Sequence, residues 1–535
     1  MHLSAMASSS VILRYHEETK HSELSVRMSA HYLDWDNKPS PFKEYHGLSS
    51  TLLPREFPHP EAEALAAIRD VHVSQDTRRR TIDLGVFAEL LFFSAGLTRK
   101  MKVGSNSYYM RAASATGALY PIELYAVCGQ QIPGLAAGVY HFNPYEFALV
   151  RLKEGDHRQE LAAACGDGCL TSPVSIIFTS LAWRNAWKYE ARSYRHWFWD
   201  SGVIVANLLG VCASEGIPIK VLLGFVDSEV DHILALKKCE EATVAVVPIG
   251  VGQVEAQRKG SQRDAAVKDI TATQYEPLSK EEAKYPSIWE ANGASSLGSL
   301  DLVDRWRQSF RPSKQGRIEL SRQPAEFLLP TTVEDITLRP TISLTNTILL
   351  RGSTRKFAHE ASITFEQLAM VINGSAQDIP LDYLLPKATL IDYYLIANEV
   401  KGLTSGSYYF NRETKSLVQL KVGQFRSKSG YLCLEQSLFA DANAVLFLMA
   451  DLDQVISALG DRGYRAAQFE AAVRAGKIYL SSYSLKIGAS GSTFYDDAVT
   501  EFFFPHAKGK STMIAVGVGV PAYRCRSGTI LPQFQ

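Results

Sequence analysis

Gly134-Leu-Ala-Ala-Gly138-Val-Tyr140-His-Phe142-Asn143 reads as a turn running into a strand, and 268 residues later it returns as Gly402-Leu-Thr-Ser-Gly406-Ser-Tyr408-Tyr-Phe410-Asn411. Outward from this pair, other landmarks recur in the same order. Arg192-Ser-Tyr194-Arg195, heading a long helical stretch, returns after 270 residues as Arg462-Gly-Tyr464-Arg465, and Phe225-Val-Asp227 returns after 269 as Phe494-Tyr-Asp496. The closing apolar strand with Gly250-Val-Gly252 returns after 267 with Gly517-Val-Gly519. Self-similarity at one long interval marks an internal duplication, and the small drift of the offset makes two unrelated domains a poor account. Two homologous units in one chain are expected to pack about a pseudo-two-fold axis, as the protomers of a symmetric dimer do. The result would be a fused pseudo-dimer that can work as a monomer.

The interval divides the chain into an N-terminal extension (1–74), a first unit (75–255), a linker (256–340) and a second unit (341–535). The linker is rich in Lys, Glu, Gln, Ser and Pro, although Trp289 and Trp306 point to partial docking. Within the first unit, IELYAVCG, GVYHF, VSIIFTSLAW and ATVAVVPIGVG have the length and β-branched or aromatic content of buried strands. VIVANLLGVCASEG reads as a buried helix closed by Gly216. Helices flanking a sheet in each unit give an α+β class of layered domains.

Composition excludes several functions. Lys+Arg and Asp+Glu both number 56, so no net field draws in a nucleic acid. The opening residues lack the basic start and apolar run of a secretion signal, and no uncharged run reaches the ~20 residues that span a bilayer, so no membrane role is expected. Seven cysteines without a CxxC pair point to a reduced, cytoplasmic protein. Cys165 and Cys169 approach metal-ligand spacing but lack a second ligand pair, and the irregular spacing of His16, His21, His31, His46, His59 and His72 favours surface positions, so no metal is expected.

Chemistry concentrates in a few segments. Arg351-Gly-Ser353-Thr-Arg355-Lys356-Phe357 precedes a helix-like ITFEQLAMVI. Two guanidiniums and a hydroxyl within one turn suit a phosphate, although the segment read alone is more often a solvated basic turn. Arg111-Ala-Ala-Ser114-Ala-Thr-Gly117-Ala118-Leu119-Tyr120-Pro121 gathers small residues that would otherwise weaken a strand. Lys188-Tyr189 precedes the Arg192 landmark and, by itself, reads as ordinary surface.

Together these segments resemble the nitroreductase superfamily, in its long SagB/ThcOx-type azoline dehydrogenase branch. RGSTRKF is similar to the Arg-x-Ser-x-Arg segment that holds the FMN phosphate in that family. Gly488-Ala489-Ser490-Gly491 resembles its loop beside the flavin ring, and Arg524 and Arg526 its C-terminal phosphate contacts. Arg111 to Tyr125 is similar to the branch pattern RxxxSxGGxxPxELY, and Lys188-Tyr189 stands at its Lys-Tyr pair. The resemblance implies two tandem FMN-dependent nitroreductase-like domains. It also implies cofactor contacts from Arg111, Ser114, Gly117, Ala118, Leu119, Arg351, Ser353, Arg355, Gly488 to Gly491, Arg524 and Arg526, and proton transfer by Lys188 and Tyr189, with a neighbouring cation favouring phenolate.

Each unit lacks what the other keeps. The second reads LLPKATLI at the place of SATGALYP, and the first has Asp76-Thr-Arg78-Arg79-Arg80-Thr81 without the RxSxR spacing. Since the family builds its flavin site across the two-fold interface, one FMN per chain is expected, with the pseudo-symmetric site vestigial. A GxGxxG fingerprint after an N-terminal strand is absent, which leaves NAD(P)H at most a transient donor. The expected reaction is oxidation of an azoline ring in a peptide or small heterocycle. The alternatives are an NAD(P)H-dependent nitro or quinone reductase, and a non-catalytic scaffold beside a peptide-modifying enzyme.

Overall fold

The computed structural model describes residues 10–69, 80–104, 106–250, 275–311, 325–330 and 342–523. Strand β1 (Ser50–Leu52) is followed by a separate hairpin, β2 (Leu97–Val103) and β3 (Asn106–Arg111), then by β4 (Ile122–Cys128), β5 (Gly138–Asn143), β6 (Ala148–Glu154), β7 (Val174–Leu181) and β8 (Glu241–Ile249). All but the hairpin form one antiparallel sheet in the order β1-β6-β5-β4-β7-β8. The second unit contributes β9 (Glu326–Leu328), β10 (Ile363–Thr364), β11 (Asp392–Ala397), β12 (Val400–Lys401), β13 (Gly406–Asn411), β14 (Ser416–Val422), β15 (Ala444–Ala450), β16 (Gly488–Ser492) and β17 (Ser511–Gly519). Its sheet runs β16-β17-β15-β11-β13-β14-β9, so that β9, β14, β13, β11, β15 and β17 repeat β1, β6, β5, β4, β7 and β8. The repeat that opened the sequence reading is β5 and β13. Only bridges from Ile219 and Leu222 to β8 stand where the second unit has β16.

The duplication shows most clearly in two long helices, Ser193–Ser214 and Arg462–Ser484, which pack on each other. A Cβ on Gly202 would fall 2.6 Å from the Ala472 Cβ, and one on Gly476 would fall 2.5 Å from the Ala206 Cβ. Glycine at both positions therefore lets the helix backbones meet. The first helix ends at Gly216, with φ +64° and Ile217 N–H donating to the Cys212 carbonyl, the six-residue closure of a Schellman cap. After the RGSTRKF segment, a Thr364–Gln367 capping box starts helix Phe365–Ser375.

The arginine and aspartate landmarks form an exchanged lock. Asp496 of the second unit accepts from Arg192 at 2.9 Å and Arg195 at 2.8 Å, and Asp227 of the first accepts from Arg462 at 2.6 Å and Arg465 at 2.7 Å. All six side chains are buried. Burial would raise both carboxyls, but the paired guanidiniums overcome it and hold them below their ordinary range. Each clamp is completed by a segment outside the two units. The Asp496 clamp takes the His21 N–H and the His16 carbonyl of the extension, and the Asp227 clamp takes the Leu297 N–H and the Ser295 hydroxyl of the linker.

The linker docks through its tryptophans, and one expectation, that of a surface His16, is corrected. The described part of the linker folds into helices Pro286–Ala294 and Leu300–Ser309, because Ile288, Ala291, Val303 and Trp306 give it an apolar face. Trp306 Nε1 donates to the Leu459 carbonyl, and Trp289 sits edge-on to Trp197. His16, expected at the surface, is buried against Tyr464, since the extension is an integral part of the clamp. The one described helical stretch long and apolar enough to cross a membrane, Ala182–Ser214, is a core element of this interface. Among the described residues, no group of three or more His, Cys, Asp or Glu could hold a metal ion.

Candidate active site

The Thr116–Leu119 turn is built from unusual backbone. Gly117 and Ala118 have φ of +63° and +54°, and Tyr120 has φ of +50°. These left-handed conformations turn the chain sharply before β4. A Cβ at Gly117 would lie 2.8 Å from the Tyr189 hydroxyl, so glycine is what allows Tyr189 to rest on the turn. A Gly117→Ala chain, strained in φ as well as in space, is expected to displace Tyr189 and to cost about 1–2 kcal/mol of stability, the penalty of a left-handed backbone on a residue with a Cβ. Denaturant unfolding checks this, and an unchanged midpoint would show that the turn absorbs the methyl group.

Lys188 and Tyr189 close the short helix Ala182–Tyr189, with the ammonium 5.3 Å from the phenol ring. Both are partly exposed. Burial, then the nearby charges of Arg355 and Lys38, push the Lys188 ammonium down from its ordinary value. Tyr189 departs from expectation. Arg355 does favour its phenolate, but burial and Asp200 outweigh that cation and push the phenol up, so Tyr189 stays protonated. Beneath it His196 is fully enclosed, edge-on to Tyr189 at 4.4 Å and stacked on Trp199. Burial, then Arg192 and Arg195, hold His196 neutral.

The second unit brings its segment to the same place. Arg355 acts electrostatically on both Lys188 and Tyr189, and its own side chain is exposed. Arg351 is buried and donates to the Ala112 carbonyl at 2.9 Å and the Arg111 carbonyl at 3.0 Å, so it also staples the second unit to the first. Thr354 N–H donates to the Ala489 carbonyl, laying the RGSTR segment along β16. At Gly488 a Cβ would collide with the Thr354 hydroxyl. Ser353 lies 3.5 Å from the Tyr479 hydroxyl, which accepts from Gly491 N–H. Ser490 is buried in this strand, whereas Gly491 is exposed.

Arg111 is enclosed, donating to the Pro41 carbonyl of the extension at 2.7 Å while stacked near Tyr120. Burial lowers it to about 10 against the opposing pull of Glu123. With Ser114, Tyr120, Ile204 and Asp200 it lines a narrow cleft. Arg524 and Arg526 lie outside the described residues. The chain just before them pairs with the phosphate-like segment, through Phe357 with Pro521 and through Ala522 N–H to the Lys356 carbonyl.

The model of the nitroreductase family matches residues 72–251 and again 348–520, once over each unit. The chain belongs to the nitroreductase family. A crystal structure of a protein from Anabaena variabilis assigned as a nitroreductase superposes with a TM-score of 0.73 at 26% identity, covering 96% of this chain and 99% of that one. The likeness therefore extends over both nitroreductase units. A protein of Methanocaldococcus jannaschii assigned as a nitroreductase is 25% identical over 171 residues, 32% of this chain and 81% of its own length. The trifolitoxin-processing protein TfxB of Rhizobium leguminosarum bv. trifolii is 29% identical over 175 residues, 31% of this chain and 46% of TfxB.

The two nitroreductase units are not equivalent at the interface. In the 270-residue register, Arg474 stands at the place of Ile204 and Glu470 at that of Asp200. Arg474 and Glu470 form a fully buried ion pair, and Arg474 also donates to the carbonyls of Ser375 and Gln377. Where the first unit has Ile204 beside an acid without a counter-cation, the second has an arginine that pairs with its own acid. On the opposite side Arg80, the described arginine of the first unit's basic run, is paired with Glu215.

Sequence reading missed Asp200, which holds Thr116 in the first unit, and Tyr479 and Tyr483, which hold Ser353 and Thr354 in the second, the latter at 3.3 Å. Asp200 carried a faint signal, as a lone acid within an otherwise apolar helix. The tyrosines carried none, since nothing in the chain order places them under RGSTR.

Proposed function

We propose that this protein is an FMN-dependent oxidoreductase with one working site per chain, acting as an azoline dehydrogenase on a peptide or small heterocycle. The observation that carries the reading is Arg351 of the second unit's RGSTR segment donating to the Arg111 and Ala112 carbonyls of the first, which sets that segment beside the Arg111–Tyr120 stretch. The residues fit the cofactor. Ser353 and exposed Arg355 offer a hydroxyl and a guanidinium to a phosphate, with Arg351 behind them and Arg524 and Arg526 following Tyr523. Gly117, Ala118 and Leu119 present a turn that backbone alone can bring close to a ring. FMN held by these residues would supply a two-electron acceptor for the hydride equivalent that leaves the substrate.

The chain's own residues then manage the proton. Lys188, held below its ordinary value, is the acceptor. Tyr189, kept as a phenol, donates a hydrogen bond and relays the proton between substrate and Lys188. A toxin-processing relative supports a biosynthetic substrate over a free nitroaromatic. The charged pair Arg474–Glu470 and the paired Arg80 support a single site.

The test is the absorbance spectrum of the purified protein, with flavin released and counted per chain. One FMN is expected, lost on Arg355→Ala and retained on Arg78→Ala/Arg79→Ala. Two per chain would overturn the single site, and none after incubation with FMN would leave the scaffold reading. Steady turnover of NADH with a nitroaromatic, and none of an azoline peptide, would assign the chain as a nitro or quinone reductase.

A further inference from the structure

Asp200 sits on the central helix Ser193–Ser214 and is 3% exposed. One carboxylate oxygen accepts both the Thr116 N–H at 2.9 Å and the Thr116 hydroxyl at 2.7 Å, and the other faces Asn185 Nδ2 at 3.4 Å. Its hydrogen-bond partners, Thr116 and Asn185, are both neutral, and among the described residues no ion pair is formed with it. Thr116 opens the left-handed turn whose Gly117 carries the Tyr189 hydroxyl. The second unit repeats the device with a different charge balance. Glu470, 270 residues on, takes the Thr389 hydroxyl and the Leu390 N–H, but Arg474 neutralises it.

We propose that Asp200 is a positioning residue that pins the Thr116–Leu119 turn beneath Tyr189 and thereby sets the height of the phenol over the cleft. Thr116 supplies two donors to one oxygen, a geometry that suits an acceptor and orders the turn at its first residue. Because the pinned group carries no counter-cation, the strength of the pin follows its own protonation. Burial pushes the carboxyl up to about 7, against the opposing hydrogen bonds from Thr116 and Asn185. The other titratable groups facing it are Tyr189, Tyr120 and, across the cleft, Arg111. Above that pH the carboxylate accepts both Thr116 donors strongly. Below it, one acceptor position is lost to the proton and the turn loosens.

The inference rests on the proposed role of Tyr189, but its test does not need turnover. Amide hydrogen exchange over residues 113–120 is measured in the full chain without added FMN, as a function of pH. In the parent protein, protection of Thr116 to Leu119, corrected for intrinsic exchange, is expected to rise with a midpoint near the Asp200 value, with the infrared band of a protonated carboxyl disappearing over the same range. Asp200→Ala should abolish the protection and the band, whereas Asp200→Asn should keep partial protection without any pH step. Thr116→Val, which leaves the helix intact, should reproduce the loss of one donor.

In activity assays, Asp200→Ala should lower kcat by about 10- to 100-fold with KM little changed, and Asp200→Asn should recover most of it. Unchanged exchange at 116–119 in a folded Asp200→Ala chain would overturn the pin. So would a pH step that survives in Asp200→Asn. If the turn loosens as expected while Tyr189→Phe keeps full activity, the pin stands and the catalytic reading of Tyr189 falls.

Discussion

Replacing Asp496 by alanine is expected to cost about 3–5 kcal/mol of stability, the penalty for leaving buried charges without their partner. Arg192 and Arg195 are 4% and 0% exposed, and Asp496 is the carboxylate both of them reach. Its removal leaves two like charges enclosed beside each other. Because Asp496 belongs to the second unit and its arginines to the first, the loss falls on the seam between units. Denaturant unfolding should remain a single transition with a lower midpoint, and two separated transitions would show that the units fold independently of the clamp.

The pH dependence has a definite sign. The Asp496 carboxyl lies below its ordinary value in the folded chain, so the unfolded chain binds more protons through the acid range. The clamp's contribution is therefore fully present above the unfolded value near pH 4 and is lost as pH falls through the folded one. Asp496→Asn should lack this component of acid sensitivity. Asp227→Ala provides the pseudo-symmetric test, and an effect on only one of the two would mean that the extension and the linker helices, not the aspartates, carry the seam.

The duplicated fold was open to reading because its landmarks are also its structural joints. Arg192-x-x-Arg195 and Arg462-x-x-Arg465 recur with Asp227 and Asp496 because each motif needs the other unit's partner. The sequence shows that they repeat but not that they cross, since a contact between chain positions some 230 to 300 residues apart leaves no local periodicity. The same holds at the candidate site. RGSTR stands out as a basic, hydroxyl-bearing turn from residue types, and only its resemblance to the family segment points to a phosphate. That Arg351 also reaches the Ala112 carbonyl, and that Arg355 comes close to Lys188, depends on how the pseudo-dimer closes. The protonation of Tyr189 was misread for a similar reason. A cation nearby argued for phenolate, and the degree of enclosure that reverses the balance exists only in the folded protein.

Exchanging Lys188 for methionine is expected to lower turnover by about 10²- to 10⁴-fold, the range contributed by a positioned acid or base, while FMN content per chain stays the same. Its ammonium is held down by burial and by two cations, Arg355 and Lys38, so a larger neutral fraction is available than a free lysine would offer. Only neutral Lys188 can accept a proton. Activity should therefore rise with pH toward a pKa below 10.5, and a variant that removes a neighbouring cation should move this rise to higher pH. Lys38→Met is the informative change, because Lys38 belongs to the extension rather than to the segment assigned to the phosphate. Tyr189→Phe should lower turnover without moving the rise, since the phenol is protonated throughout that range. A scaffold would lose nothing in any of these variants. An unshifted profile in Lys38→Met, with turnover intact, would instead assign the rise to another group and remove Lys188 from the proton path.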